Sequence, residues 1–335
     1  MSTSIFWQEL SKAEPQLAKQ EVHDAMEGIN AILQRHFPDV AAELLQHHSE
    51  GNAGRYDLII TAHGSVEHFQ EVMELVQSAP KLDLFAQVVA FRARTDTEGF
   101  SMTMGDFSLG TADILVAHYA DAGRVGLQLW FGKPIPQDFV DHAKHMSFIL
   151  LDHAIGEYDF AIKIGPVEFM EEETGQPTTS LTQFPAILDA FWRDDLKHTA
   201  IFPTGDNEWA GFELVSNTDP DDKLFVQRNE SAMALVGRAD MLWRLEVQAE
   251  ISNSDELEKI REFEDQLETL LTQTQEGIST QITLHGNLRS MSWQVSDSPA
   301  ALGKAQKLAN SFSQIEFEIS SEFDPQWQDY LRWVA

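Results

Sequence analysis

The chain contains no cysteine. That absence excludes disulfides, thiolate metal sites and any Cys-based nucleophile, and it permits a reducing compartment. Long apolar runs are missing as well. The longest candidate, residues 146–151, meets Asp152-His153 and falls far short of the roughly 20 residues a membrane-spanning helix needs. The opening Met1-Ser2-Thr3-Ser4-Ile5-Phe6-Trp7-Gln8-Glu9 has neither the basic region nor the apolar core of a secretory signal. A soluble, cytoplasmic protein without membrane partners is the expectation. Positive charge is scarce: 23 Lys and Arg stand against 54 Asp and Glu, a net charge of −31. Residues 1–175 hold 11 cationic against 27 acidic side chains and residues 176–335 hold 12 against 27, so the acidity is spread and not confined to a tail. Such a field repels nucleic-acid phosphates and anionic membranes and attracts basic proteins. A plain solubility surface is the competing reading.

Familiar catalytic motifs are also lacking. There is no Gly-x-Gly-x-x-Gly, no Gly-x-Ser-x-Gly and no His-Glu-x-x-His. Residues 105–111 have P-loop glycine spacing, but Thr111 stands where a lysine must reach the phosphates and Asp106 would repel them.

Core-forming residues, by contrast, are plentiful. Apolar side chains make up 43% of the 335 residues, with 21 Phe and 8 Trp, ample for two packed domains. The best linker is Glu171-Glu172-Glu173-Thr174-Gly175-Gln176-Pro177-Thr178-Thr179-Ser180, charged and then Gly/Pro/Thr-rich. The expected organisation is an N-terminal domain at 1–172, a linker at 173–180 and a C-terminal domain at 181–335. Strand runs meeting at short turns, mixed with helical periodicity, point to an α+β fold. Each domain is expected to be an antiparallel or mixed sheet with helices on it, a ferredoxin-like arrangement being one option. In the first half the pattern predicts two helices over 4–48, one ended by Pro38 at or before Phe37 and a short successor near Val40, Leu44 and Leu45, then a loop at 49–54 and a strand at 56–62. A helix at 66–77 with Ser65 as N-cap follows, then strands at 84–94, 101–107, 113–120 and 123–131, a helix at 135–151 and a strand at 158–169. The second half begins with a helix at 182–196 and strands near 199–202, 209–216 and 224–227.

Residues 241–297 organise that second half. They read strand, helix, strand, turn, strand. Asn253 with Glu256 three residues on makes a capping box, and Leu257, Ile260, Phe263, Leu267, Leu270 and Leu271 repeat at helical spacing. A helix at 299–312, a strand at 314–320 and a last helix begun at Asp324-Pro325 complete the pattern. This order, the Glu/Leu-rich helix 255–275, the turn Thr283-Leu284-His285-Gly286-Asn287 and the ending Phe323-Asp324-Pro325-Gln326-Trp327-Gln328-Asp329-Tyr330-Leu331 resemble the bacterial family of unknown function numbered 695, over residues 195–335. The N-terminal half, through Ile60-Thr61-Ala62-His63-Gly64, Ala79-Pro80-Lys81-Leu82 and Val89-Ala90-Phe91-Arg92-Ala93-Arg94, resembles segments of uncharacterised bacterial proteins. The resemblance implies a binding or regulatory role, since domains of that family accompany a small acidic domain similar to inhibitors of ribonuclease E. It carries over no catalytic residues.

Several groups are candidates for chemistry. Asp138, His142 and His145 would project within roughly 60° of one another on a helix and could hold zinc or iron. The apolar face of the same helix, Phe139, Ala143, Met146 and Leu150, makes the trio readable as a solvated flank, and no cofactor or bound metal is expected. Asp152-His153 with Glu157 suggests acid–base work but lacks a nucleophile. Arg92 and Arg94 share a strand face by period two and could clamp a carboxylate or phosphate, or pair with the chain's own acids. His47-His48 reads as exposed. Trp327, Tyr330 and Trp333 form an aromatic stripe that docks the last helix or stacks a ligand. Asp255, Glu258, Glu262, Asp265 and Glu268 form the best candidate surface for a basic partner. The function expected is a binding or regulatory protein. An enzyme or small-ligand binder using an interdomain cleft is the alternative.

Overall fold

The structure, a computed structural model, describes residues 2–47, 55–171 and 175–334. His48, the loop read at 49–54 and residues 172–174 of the expected linker lie outside them. The chain is α+β, with helices beside antiparallel and mixed sheets. It divides into two compact units. The first comprises the described residues through His118 together with Gly126–Ile187; the second comprises Tyr119–Val125 and the described residues from Leu188 onward. The boundary therefore differs from the linker read at 173–180. Thr179 and Ser180 pair with Val116 and Leu115, which keeps this stretch with the first unit.

In the first unit, helices α1 (Ser2–Leu17) and α2 (Val22–Leu33) precede strands β1 (Ala41–Gln46) and β2 (Tyr56–Thr61), helix α3 (Phe69–Gln77) and strand β3 (Phe85–Ala90). β1 is antiparallel to β2, and β2 is parallel to β3 with α3 in the connection. The short helix expected near Val40 is β1 instead. Six residues are too few to nucleate a helix unaided, and the Asn30 amide brackets the Ala42 backbone, donating to its carbonyl (2.8 Å) and accepting from its N–H (2.7 Å). Ser65 does not cap; its hydroxyl donates to Glu67, and a single 3-10 turn, Val66–His68, leads into α3.

Strands β4 (Ser101–Met104) and β5 (Phe107–Gly110) form a hairpin, so the glycine-spaced residues 105–111 are a turn and a strand. Strands β6 (Ile114–Asp121), β7 (Arg124–Phe131), β8 (Ile164–Phe169) and β9 (Thr179–Ser180) make a sheet in the order β8-β7-β6-β9. Helices α4 (Val140–Ile155) and α5 (Glu157–Lys163) lie between β7 and β8 in the chain. The strand expected from residue 158 begins only at Ile164, because the alternation Tyr158, Phe160, Ile162 belongs to α5. Helix α6 (Phe184–Ala190) ends in a π turn, Phe191–Asp195. The strand expected near 199–202 has no regular structure.

The second unit is built on one six-stranded antiparallel sheet. Its strands are β10 (Trp209–Val215), β11 (Lys223–Asn229), β12 (Trp243–Glu250), β13 (Gly277–His285), β14 (Leu288–Val295) and β15 (Glu318–Phe323), in the order β10-β11-β13-β14-β12-β15. Helix α7 (Ser254–Thr272) joins β12 to β13, and α8 (Ser298–Ala309) joins β14 to β15. Residues 243–323 thus run β-α-β-β-α-β, with each helix connecting strands separated by one neighbour. α7 starts as its sequence dictates: Asn253 Oδ1 accepts from Glu256 N (3.0 Å), and the Glu256 carboxylate accepts from Ser252 N (2.9 Å). Ile260, Phe263, Leu267 and Leu271 bury against Leu245, Val247, Met291, Trp293 and Val295, at about 1.5–3 kcal/mol per fully buried side chain.

The closing helix α9 (Gln328–Leu331) is shorter than expected and begins after Trp327, which sits at φ +53. Asp324 accepts from Gln328 N, Trp327 Nε1 donates to the Met241 carbonyl (2.9 Å), and the Tyr330 hydroxyl donates to the Asn229 carbonyl (2.8 Å). Trp327 and Tyr330 are buried, so these two members of the aromatic stripe serve docking.

Candidate functional site

A set of charged groups in the first unit gathers where β2 and β3 end. Glu157 opens α5, directly after Gly156 at φ +90, and its side chain is buried. One carboxylate oxygen accepts from Ala62 N (2.9 Å) and Gly64 N (3.1 Å); the other accepts from Thr61 Oγ1 (2.7 Å) and Arg92 N (3.1 Å). The loops leaving two parallel strands are thus fastened to one internal anion. Three bends around it carry left-handed backbone: His63 (φ +51), Phe91 (φ +63) and Gly156. A Cβ at residue 156 would stand 2.9 Å from Arg94 N, so glycine is required there.

Arg92 follows directly. Phe91 turns the chain out of β3, so Arg92 and Arg94 do not share a strand face as expected. The Arg92 guanidinium donates through Nε to Glu43 (2.9 Å) and through its terminal nitrogens to Glu43 and Asp152. Arg94 pairs with Asp159 at 3.4 Å. Both arginines meet the chain's own acids. Three carboxylates, those of Glu43, Asp152 and Glu157, therefore surround the Arg92 charge. Burial pushes the Asp152 carboxyl up to about 6; Arg92 pulls the other way, and Glu157 and Glu43 add to the rise. Burial, reinforced by Arg92, lowers His153. Beside this cluster, Glu43 and His63 line an open pocket of about 480 Å³ with Met26, Glu27, Asn30 and Gln34.

Chemically, the cluster offers a carboxylic acid raised by burial to about 6, but Glu157 occupies the amides that would otherwise receive a ligand anion. Asp152, His153 and Glu157 do not form a triad: Asp152 faces Arg92, and the His153 ring lies 5.0 Å from that of Phe100.

The other expected residues are dispersed. Asp138 lies on the 3-10 turn Gln137–Phe139 ahead of α4, while His142 and His145 lie on α4, and all three are exposed. Among the described residues, no group of three or more His, Asp or Glu side chains is placed to hold a metal ion. His47 is not exposed as read; its Nδ1 meets Asp57 at 2.7 Å.

On α7, Asp255, Glu258, Glu262 and Asp265 project to solvent. Among the described residues, none of the four makes an ion pair with Lys, Arg or His. Glu268 departs from this face. It turns toward the sheet and accepts from Asn207 Nδ2 (3.2 Å), Ser279 N (2.9 Å) and Trp293 Nε1 (2.8 Å). Burial raises its carboxyl, against those hydrogen bonds. One turn earlier, Glu264 bonds Arg289 (2.7 Å), and burial raises it too. Helical phase explains the split: Glu264 and Glu268 flank the apolar stripe, whereas the other four lie opposite it. No helix among the described residues is long and apolar enough to cross a membrane. Comparison of the chain with protein-family models, with curated proteins and with solved structures finds no match.

Proposed function

We propose that this is a non-enzymatic binding or regulatory protein of the cytoplasm whose acidic surface engages a basic protein partner. The observation that carries the reading is the α7 face. Asp255, Glu258, Glu262 and Asp265 stand exposed on one helix and, among the described residues, none of them forms an ion pair. Elsewhere the chain's cations are largely spent on its own acids, as with Arg92, Arg228, Arg238 and Arg244. Uncompensated carboxylates on a fixed scaffold speed encounter with Lys/Arg-rich surfaces and repel phosphate backbones. The strand order β15-β12-β14-β13, with its two interleaved β-α-β connections, supports a ferredoxin-like reading of residues 243–323. The resemblance of 195–335 to family 695 is part of the same proposal and agrees with a binding role.

The test reverses Glu258, Glu262 and Asp265 to Lys together and measures capture of cytoplasmic proteins at low and high salt. Capture should fall in the variant, and in the wild type as the Debye length shrinks from about 10 Å at 0.1 M to about 3 Å at 1 M. Unchanged capture, or direct RNA binding by the wild type, overturns the reading. The second reading, a small-ligand binder, is favoured by the pocket beside Glu43 and His63, whose lining carries carboxylates and amides but no Lys or Arg. It predicts a small cationic ligand whose binding is lost in Glu27→Gln, since Glu43 is already taken by Arg92.

A further inference from the structure

His198 is buried, 3% exposed, and each of its ring nitrogens meets a backbone carbonyl: Nδ1 lies 2.7 Å from Met233 O and Nε2 lies 2.8 Å from Gly123 O. A carbonyl oxygen accepts and never donates, whereas a neutral imidazole has one N–H and one bare lone pair. In either neutral tautomer, then, a lone pair stands against a carbonyl oxygen at hydrogen-bond distance. The imidazolium donates from both nitrogens and satisfies both contacts. Burial alone opposes that charge. Against this work two charge-assisted hydrogen bonds and the Trp192 ring, whose centroid lies 4.1 Å from that of the imidazole.

The backbone on both sides of the ring is bent to bring these groups together. His198 lies between Lys197 (φ +66) and Ala200 (φ +59), two left-handed residues that are not glycine. His198 N donates to Trp192 O (3.1 Å) and Ala200 N to Ala234 O (2.7 Å). These bonds tie the segment to the π turn Phe191–Asp195 and to the 3-10 turn Glu230–Leu235. Opposite them is the turn between β6 and β7, Ala122 (φ +44) and Gly123 (φ +79), which belongs to the second unit together with His198. Positive φ at both central residues of a hairpin turn favours Asn-Gly, so alanine at the first position is strained. A Cβ at residue 123 would stand 2.6 Å from the Leu331 side chain, which shows how closely the turn is packed. Such backbone persists where the contacts around it hold it in place.

The charged groups on the packed elements are Asp121 and Arg124 beside the hairpin turn, Arg193, Asp194 and Asp195 on the π turn, Lys197, Glu230 on the 3-10 turn, and Arg238 after it. Arg193 pairs with Asp194, Glu230 with Arg228 and Arg238 with Asp240, while Lys197 donates to the Asp194 carbonyl. Burial lowers Arg124, against the pull of Asp324 and Asp121. Burial also raises Tyr330, which donates to Asn229 O as a neutral phenol.

We propose that His198 is a pH-sensitive latch: as an imidazolium it clips the β6–β7 turn to the Met233 carbonyl, and its deprotonation releases the turn. An unfolded histidine gives up its proton near pH 6.5. The latched ring keeps its proton above that point, so the folded chain binds one proton more than the unfolded one. The stabilisation is therefore whole below about pH 6.5 and is lost as pH rises through the point where His198 itself deprotonates. The inference is independent of the acidic-surface reading.

The experiment follows the histidine ring nitrogens of the isotope-labelled full chain by NMR from about pH 5 to about pH 9. His198 is assigned by its proximity to the Trp192 indole, and the exposed His142 and His145 serve as references. The expected result is two protonated nitrogens on His198 at a pH where the references have become neutral. Hydrogen-exchange protection at the amides of Arg124 and Ala200, corrected for the intrinsic rise of exchange with pH, should then fall by about tenfold or more as His198 deprotonates. His198→Gln offers donors to one carbonyl alone and should lack this step. A single protonated nitrogen at neutral pH, with titration alongside the references, overturns the proposal. So does protection that stays constant through the deprotonation of His198, or an imidazolium that never deprotonates while the chain is folded. A step that persists in a folded His198→Gln overturns it as well, and if that variant does not fold, the wild-type titration decides.

Discussion

Replacing Glu157 by Ala should be among the most damaging single changes in the first unit. The carboxylate accepts from three backbone amides and one hydroxyl, and its residue is only 1% exposed. Hydrogen bonds to a charged group contribute about 1.5–3 kcal/mol each, and each buried donor left unpaired costs about 1–3 kcal/mol. These terms do not add, because water enters the space vacated and the loops relax. Removing one side of a buried ionic network typically costs about 3–5 kcal/mol, and that is the loss expected here. Glu157→Gln keeps the volume but turns an NH2 group toward two of the four donors, so it should fall between Ala and wild type. With two compact units, a single two-state fit is a poor readout. Hydrogen exchange at the amides of Ala62, Gly64 and Arg92, beside a denaturant titration, reports the site directly. If those amides keep wild-type protection in Glu157→Ala and the stability changes by less than about 1 kcal/mol, the fastening role is refuted.

Asp152 supplies a pH test. Its folded-state carboxyl is raised to about 6 by burial, above the ordinary value of 3.8, so the folded chain binds more protons than the unfolded one between those values. Its contribution is unfavourable at neutral pH and is relieved as pH falls from about 6 through the ordinary value of 3.8; Asp152→Asn should therefore be the more stable protein at pH 7, with the gap narrowing through that window and closing only below it, and a gap that widens on acidification contradicts this. Gly156→Ala, forced to φ +90 and against Arg94 N, should cost at least about 1–3 kcal/mol by thermal or chemical denaturation; a neutral substitution would show that the bend is adjustable. Phe263→Ala opens the core beneath α7 and should cost about 3–5 kcal/mol, read from exchange of α7 and β14 amides. Protein purified without chelator should carry no stoichiometric zinc or iron, because Asp138, His142 and His145 face solvent; one equivalent by elemental analysis, lost in His142→Ala, would refute it.

Local signals were legible where local physics decides. The start of α7 could be read from Asn253 and Glu256, its buried face from the spacing of Ile260, Phe263 and Leu267, and the β13–β14 turn from His285-Gly286-Asn287. β1 was not legible: its Ala41–Gln46 run fits either a helix or a strand, and Asn30, eleven or more residues away, decides through its side chain. α5 was misleading because Tyr158, Phe160 and Ile162 alternate as in a strand, while the helix is held at its first residue by contacts with the end of β2 and the segments that follow β2 and β3. The role of Glu157 could not be read for the same reason, since its partners lie 65 to 96 residues away. The one hint was a glycine directly before an acid at a helix junction. Arg92 and Arg94 were misplaced because nothing local announces a left-handed Phe91. Glu268 was assigned to the exposed acidic face because its angular offset is small, and only the sheet shows that it points inward.

The fastening of β2 and β3 by Glu157 also sets a schedule for the chain as it is made. Thr61 and Ala62 leave the ribosome 95 or so residues before the carboxylate that must receive their donors. At about 5–20 residues per second, that interval is roughly 5–20 s. Throughout it the end of β2 has no Glu157 to donate to, and for the last 65 residues of it the same holds for Arg92 beyond β3; the edge they present is open to other nascent chains. The first unit is thus completed from its C-terminal side, and conditions that slow elongation lengthen the period in which a chaperone, and not Glu157, has to shield that edge.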